Sequence, residues 1–283
     1  MKQSLIAAFL LINSLVVFSQ NDSLVFVSAK WETQKIAPGI TWKHYHFNNK
    51  DLFNANQNIN IIDINLKKKR AIAIACEAKA LKPVSEFGQA AGALAAINGN
   101  FFDIKNGGSV DYVRVHDSVI SQNRLWANNT RARHQHSALV IKKGKLHIAK
   151  WDSSADWESK IKAADVMLTG PLLLWQGERQ ALDTGEFNHR RHPRSAIACM
   201  SKKRVLFITV DGRHEQSAGM SLPELTNIIK WLAAKDGVNL DGGGSTTLWI
   251  SQQPGNGVVN YPSDNKKWDH EGQRKVANVI LVK

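Results

Sequence analysis

The stretch that most limits how this chain can fold is Val238-Asn239-Leu240-Asp241-Gly242-Gly243-Gly244-Ser245-Thr246-Thr247. Three consecutive glycines lose much backbone freedom on folding, so a fold that contains them needs unusual φ/ψ or a close approach there. The apolar approach to Asp241 and the apolar Leu248-Trp249-Ile250 beyond it predict strand, tight loop, strand. Asp-Gly is a strong hairpin signal, but three glycines exceed what a two-residue turn needs. Two readings follow: a glycine-rich hairpin loop, or a site. In the second, Asp241 stands at the mouth of a loop whose uncovered N–H groups suit phosphate or another anion.

The chain around this stretch has 283 residues. Lys2 and the apolar run from Leu5 to Phe18, broken only by Asn13 and Ser14, predict a cleaved secretory signal over residues 1–20. The expected location is secreted or periplasmic. The run is too short and interrupted for a good membrane span, and no later stretch qualifies, so no stable membrane insertion is expected. Residues 21–55 read as an N-terminal extension packed on the core, and 56–283 as one main domain long enough to bury its core unaided. Cys76 and Cys199 lie in alternating apolar segments and read as core strand residues; sequence does not derive a disulfide between them. The formal charge of +13 favours acidic partners such as phosphate esters or anionic glycans. Export and the lack of any reader motif argue against nucleic acid. Nothing in the chain sets an oligomeric state.

Periodicity predicts an α+β fold: a mostly antiparallel or mixed sheet with a few packed helices. Strands are expected over 40–47, 59–66, 71–77, 137–141, 145–151, 195–200, 205–210 and 275–282. Ser85 to Ala96 reads as a helix capped by Ser85, with Ala95-Ala96-Ile97 passing into a strand. Asp156 to Ala164 reads as a short helix. Gly219 to Lys235 is the best helix, because Ser221 and Glu224 form a capping box and Leu222, Leu225, Ile229 and Leu232 recur at helical spacing. The loop Trp126 to His136 carries Asn128, Arg131, Arg133, His134 and His136, and reads as an exposed polar loop or the lining of an anion site.

The two strands before and after Lys202-Lys203 form a hairpin that begins with His192-Pro193-Arg194 and ends with Asp211-Gly212-Arg213. In an antiparallel pair these ends share one edge of the sheet, so Arg194 and Asp211 are expected in one site. Asp241 and Asp211 are the candidate catalytic carboxylates. Asn239 falls on the same face as Asp241 if extended geometry persists to the strand end. No His/Cys spacing argues for zinc; Asp211 and Asp241 leave Ca²⁺ or Mg²⁺ open, and hydrolysis without a metal cofactor is the expectation.

An ordered set of motifs runs along residues 60 to 283: Ala96-Ile97-Asn98-Gly99, His192-Pro193-Arg194-Ser195-Ala196-Ile197, Val210-Asp211-Gly212-Arg213, Gly219 with Glu224, Asn239-Leu240-Asp241-Gly242-Gly243-Gly244-Ser245, Tyr261-Pro262-Ser263-Asp264 and Arg274-Lys275-Val276. The set resembles the phosphodiester glycosidase family. The sequence departs from it at Asn100, where the family usually carries a second glycine. The resemblance implies cleavage of a sugar, of N-acetylglucosamine type, from a sugar-1-phosphodiester, giving free sugar and a phosphomonoester. It implies a substrate-binding set of Asn98, Gly99, His192, Arg194, Arg213, Asn239, Gly242, Gly243, Gly244 and Ser245. In that picture Arg194, helped by His192 or Arg213, grips the phosphate, and Asn98 and Asn239 position hydroxyls or orient the acids. An O-glycosidase on envelope polysaccharide and a non-catalytic binder of anionic glycan are the alternatives.

Overall fold

The computed structural model describes residues 21–283 except Lys202, so the proposed signal lies outside the described residues. The alternating segments assemble into three sheets whose pairings are antiparallel. The largest has eight strands in the order β1 (Glu32–Ala37), β2 (Ile40–Leu52), β3 (Ala55–Asn65), β14 (Arg204–Val210), β13 (Arg194–Ser201), β15 (Asp236–Asn239), β11 (Leu172–Trp175) and β12 (Glu178–Arg179). A five-stranded sheet runs β7 (Ser118–Ser121), β6 (Val113–Val115), β10 (Asp165–Leu168), β8 (Ser137–Lys142), β9 (Lys145–Lys150). A four-stranded sheet runs β16 (Leu248–Ile250), β5 (Ala95–Asn98), β17 (Asn278–Val282), β4 (Ile72–Cys76). The helices are α1 (21–28), α2 (Val84–Ala90), α3 (Trp157–Lys160), α4 (Glu186–His189) and α5 (Leu222–Trp231).

Side-chain alternation explains the layering. Ile62 and Ile64 of β3 and Val205 and Phe207 of β14 point to one core, where they meet Ile97 and Ile280 of the four-stranded sheet and Leu139 and Met167 of the five-stranded one. Ile59, Ile61, Leu206 and Ile208 point the other way, under Leu222, Leu225 and Ile229 of α5 and Phe26 of α1. Strand β14, covered on both faces, is apolar at nearly every position, whereas β3 interleaves its isoleucines with Asn58, Asn60 and Asp63. Trp249, Val279 and Leu281 turn the outer face of the four-stranded sheet toward Val84 and Phe87 of α2. Trp157 of α3 packs on Ala138, Val140 and Val166 of the five-stranded sheet.

Helix α5 carries the expected capping box. Ser221 Oγ accepts from the Glu224 N–H at 3.3 Å, and Glu224 Oε2 accepts from the Ser221 N–H at 2.8 Å. Helix α2 departs from expectation. Its N-cap is Pro83, and Ser85 lies inside the helix, where its hydroxyl accepts from Gln273 Nε2 at 2.9 Å. It stops at Ala90, because Ala95 and Ala96 are held in β5 between β16 and β17. Residues 21–55 are more than an appendage: β2 pairs along β3 and forms part of the large sheet, so a boundary at 55/56 falls inside that hairpin. Cys76 and Cys199 are both free, and burial pushes their thiols up to about 11 and about 12. Among the described residues no helix is long and apolar enough to cross a membrane.

Candidate active site

The glycine stretch is a crossing between sheets. Strand β15 ends at Asn239 in the eight-stranded sheet, and β16 resumes at Leu248 in the four-stranded one. The hairpin reading therefore fails: the chain leaves one packed sheet and enters the other across their seam. Gly243 takes φ +60, the left-handed region that glycine enters without penalty. Close approach accounts for its neighbours. A Cβ on Gly242 would lie 2.7 Å from the Pro193 carbonyl, and one on Gly244 would lie 2.5 Å from Arg274 and Asp264.

Asn98, at the end of β5, ties the seam together. Its Nδ2 donates to the Asp241 carbonyl at 2.7 Å, while its Oδ1 accepts from Ser195 Oγ at 2.6 Å and the Thr247 N–H at 3.2 Å. Gly99 accepts from the Asp241 N–H through its carbonyl and has no room for a side chain, because a Cβ would lie 1.9 Å from Asn278 Oδ1. Asn100 is accommodated by exchanging hydrogen bonds with the same Asn278. Asn239 is buried, with its Nδ2 on the Gly170 and Leu240 carbonyls. Asn98 and Gly99 are thus spent on holding the Asp241 loop, and Asn239 commits its Nδ2 while its buried Oδ1 has no partner among the described residues; this favours an orienting role over direct contact with sugar.

Asp241 keeps partial solvent contact while closely surrounded by protein. Burial pushes its carboxyl up to about 6. The adjacent Ser245 hydroxyl, the Gly242 N–H and the Arg274 charge work against that rise, and the negative charge of Asp111 adds to it. The Gly242 N–H donates to Asp241 Oδ1 at 2.9 Å and the Gly243 N–H to the Pro193 carbonyl at 2.9 Å. These two amides are therefore not the open anion cradle that the sequence suggested.

Asp211 and Arg194 do share an edge, since Arg194 pairs with Val210. They do not share a site, because successive residues on a strand face opposite sides. Asp211 faces the interior with 0 % exposure. Its carboxylate accepts from Asn260 Nδ2 at 2.8 Å, the Tyr261 N–H at 3.0 Å and Asn58 Nδ2 at 2.8 Å. Burial raises its pKa against those three donors. This surrounding corrects the catalytic assignment: Asp211 anchors the 260s loop and presents no free face to a substrate. Arg194 faces the helix side and is 1 % exposed. Its Nε donates to the Met220 carbonyl at 2.8 Å, and Nη2 donates to the Phe187 and Arg190 carbonyls at 2.6 and 3.0 Å. Burial lowers it to about 10, with Glu224 opposing and Arg213 adding. The phosphate grip assigned to Arg194 is corrected because the side chain is buried and Nε and Nη2 already hold backbone carbonyls, while Nη1 is buried without a partner among the described residues.

Arg213 is the exposed cation. It lies over the glycine loop, its Nη2 2.8 Å from where a Gly243 Cβ would be, and no carboxylate pairs with it among the described residues. His192 lies near Arg194 and Arg213; burial lowers its pKa first, and those charges lower it further. Arg274, which the sequence reading left out of the site, pairs with Asp264 at 2.5 Å against Gly244 and acts electrostatically on Asp241.

A cavity of about 550 Å³ adjoins this seam, walled by Phe101, Trp126, His134, Pro171, Leu172 and Phe187. Asp241 does not itself line it, but the backbone groups next to Asp241 do connect to it. The Gly99 carbonyl that holds the Asp241 N–H is two residues from Phe101, and the Pro171 carbonyl accepts from the Asn239 N–H at 3.1 Å. Trp126 and Phe187 are 64 % and 42 % exposed at its rim, an apolar surface of the kind that receives ligands. His134 belongs to the loop that could equally have been plain surface; nothing in sequence spacing links it to Asp111, which folding places beside it.

No curated protein sequence matches this chain. Among solved structures it is similar to a hypothetical protein from Synechocystis, with a TM-score of 0.65 and 16 % identity over 90 % of this chain, spanning 64 % of that one. It is also similar to the catalytic domain of zebrafish N-acetylglucosamine-1-phosphodiester alpha-N-acetylglucosaminidase in a form auto-inhibited by its pro-peptide, with a TM-score of 0.66, 19 % identity, and coverage of 90 % of this chain and 88 % of that one. At these identities the likeness is one of fold. The family profile described as phosphodiester glycosidase matches residues 91–283, well over half of the sequence and the part that holds the glycine loop, and on that match the chain belongs to the phosphodiester glycosidase family.

Proposed function

We propose that this chain hydrolyses a sugar-1-phosphodiester, with a sugar of N-acetylglucosamine type, to free sugar and a phosphomonoester, and that it does so outside the cytoplasm. Family membership supports the reaction class. The zebrafish relative's name motivates the sugar. The basic start and apolar run within residues 1–20 support export. The observation that carries the reading is the setting of Asp241: a carboxyl raised to about 6, at a seam that adjoins both Arg213, exposed and without a carboxylate partner among the described residues, and an aromatic-walled cavity.

In this reading the sugar ring lies against the Phe101 and Phe187 side of the cavity and the phosphate against Arg213. Asp241 acts at the anomeric carbon between them, where its ionised form stabilises the developing positive charge. A departing phosphomonoester has a second pKa of ~6 and leaves with little help from an acid. Its charge must instead be held, which is what an exposed guanidinium without a carboxylate partner offers.

The deciding assay measures free sugar from UDP-N-acetylglucosamine and from a simple α-sugar-1-phosphodiester. Asp241→Asn is expected to lower kcat by about 10²–10³. Arg213→Ala is expected to raise KM for phosphodiesters and leave a neutral aryl glycoside unaffected. Wild-type preference for the aryl glycoside would select an O-glycosidase instead, and binding without turnover a glycan-binding protein.

A further inference from the structure

The cavity holds a second polar device that the hydrolysis above does not use. Asp111 is fully buried at the end of the loop before β6. Its Oδ1 accepts from Gln135 Nε2 at 2.8 Å and lies 3.1 Å from His134 Nε2. Its Oδ2 is buried with no hydrogen-bond partner among the described residues. A carboxylate left half-satisfied in the interior is destabilising, and such groups ask for a functional explanation. The Ser109 and Ser121 hydroxyls bond to the Asp111 carbonyl and fix its backbone, so the side chain is aimed and not adrift.

His134 is held as firmly. Its ring lies 4.7 Å from that of Phe101, and its Cα would be 3.0 Å from a Cβ on Gly170. The Gly170 carbonyl accepts from Asn239, two residues before Asp241. One edge of the imidazole therefore meets Asp111 and the ring forms part of the cavity wall, with 27 % of the side chain exposed. When Nε2 donates to Asp111, Nδ1 carries the lone pair and can take a proton.

We propose that His134 is the catalytic base of this site and Asp111 the positioning residue that orients it and stabilises the imidazolium. The assignment rests on the hydrolysis proposed above. Water lies between Nδ1 and the anomeric carbon. One water proton passes to Nδ1 as the water oxygen bonds to that carbon. The bond from the carbon to the bridging phosphate oxygen breaks, and its electron pair leaves on the phosphomonoester. The imidazolium then returns its proton to solvent. Asp241 balances positive charge at the carbon during the step, so the two groups divide the work: one takes the proton, the other meets the charge.

The test uses the full mature protein, a sugar-1-phosphodiester that wild type turns over, and sodium azide as a nucleophile that needs no deprotonation. His134→Ala is expected to lower kcat by about 10²–10⁴ with KM little changed. Azide is expected to restore turnover in that variant, with glycosyl azide as product, and to have no such effect on wild type. Asp111→Asn is expected to lower kcat less and to be rescued in the same way, with its circular dichroism and melting curve recorded beside it. A His134→Ala variant with wild-type kcat overturns the proposal. So does an inactive variant that stays folded and that azide does not rescue, because a purely structural histidine behaves that way. Wild type without turnover on any sugar-1-phosphodiester removes the proposed hydrolysis and this assignment with it, whereas an active wild type beside an unaffected His134→Ala removes only the assignment.

Discussion

Asp241 and Asp211 each end an apolar run and precede a glycine, and burial raises both carboxyls, yet their surroundings differ in kind. Asp211 is answered by two asparagine amides and a backbone N–H. Asp241 has one backbone donor, the Gly242 N–H, and retains contact with solvent. An acid whose folded pKa lies above its unfolded value holds its proton more tightly when folded. Its ionised form therefore opposes folding once pH exceeds the folded value, and the opposition is absent below the unfolded one. For Asp241 that window runs from the ordinary aspartate value of 3.8 to about 6. Asp241→Asn should accordingly be more stable than wild type at pH 7, on the order of 1–2 kcal/mol after allowance for its solvent contact, while losing activity. The gain should vanish below about pH 4, as melting curves of the two proteins across pH will show. An unchanged or lower melting temperature at pH 7 would sink this account of the residue.

At the scale of elements, the β13–β14 hairpin illustrates what pairing and alternation each decide. Antiparallel pairing puts Arg194 and Asp211 at one edge, as read from the sequence. Alternation then sends Arg194 under α5 and Asp211 into the seam. The motif His192-Pro193-Arg194 does place a cation near the site, but as a strut that gathers the carbonyls of Phe187, Arg190 and Met220 below the cavity wall, with the Phe187 ring 4.8 Å from its guanidinium carbon. Arg194→Ala should therefore act on stability first. Leaving three carbonyls and a large void, it is expected to cost about 3 kcal/mol or more, read as a lowered denaturant midpoint. Arg213→Ala, on the exposed left-handed residue of the next turn, should leave that midpoint unchanged within about 0.5 kcal/mol. Helix α5 was legible because its cap is local: Ser221 and Glu224 need only each other. Helix α2 was overread only in length: it ends at Ala90, while Ala95-Ala96-Ile97 passes into β5 as the sequence suggested.

At the scale of the molecule, three sheets meet near Asp241: Asn98, ending β5, donates to the Asp241 carbonyl, and Thr169, just past β10, donates its hydroxyl to the Asn239 carbonyl at the end of β15. The family match begins at residue 91, yet the strands before it are structural. Strand β3 pairs with β14 over seven residues and β4 with β17 over five. A chain beginning at residue 91 would expose the β14 edge and both apolar faces that β2 and β3 help to cover. It is expected to give no cooperative melting transition and to be insoluble; a soluble, cooperatively folding fragment would overturn this view of residues 21–90. The sequence by itself determined the α+β class, the hairpins, the capped helix and that the stretch after Asp241 needs glycine, because period-two patterning, glycine chemistry and capping act between residues close in the chain. Which carboxylate is free, which arginine is exposed, and that Asp111 stands beside His134 were decided only by tertiary structure. These depend on which face of a strand is covered and on side chains 23 positions apart meeting at a seam, and local physics in the chain carries no record of either.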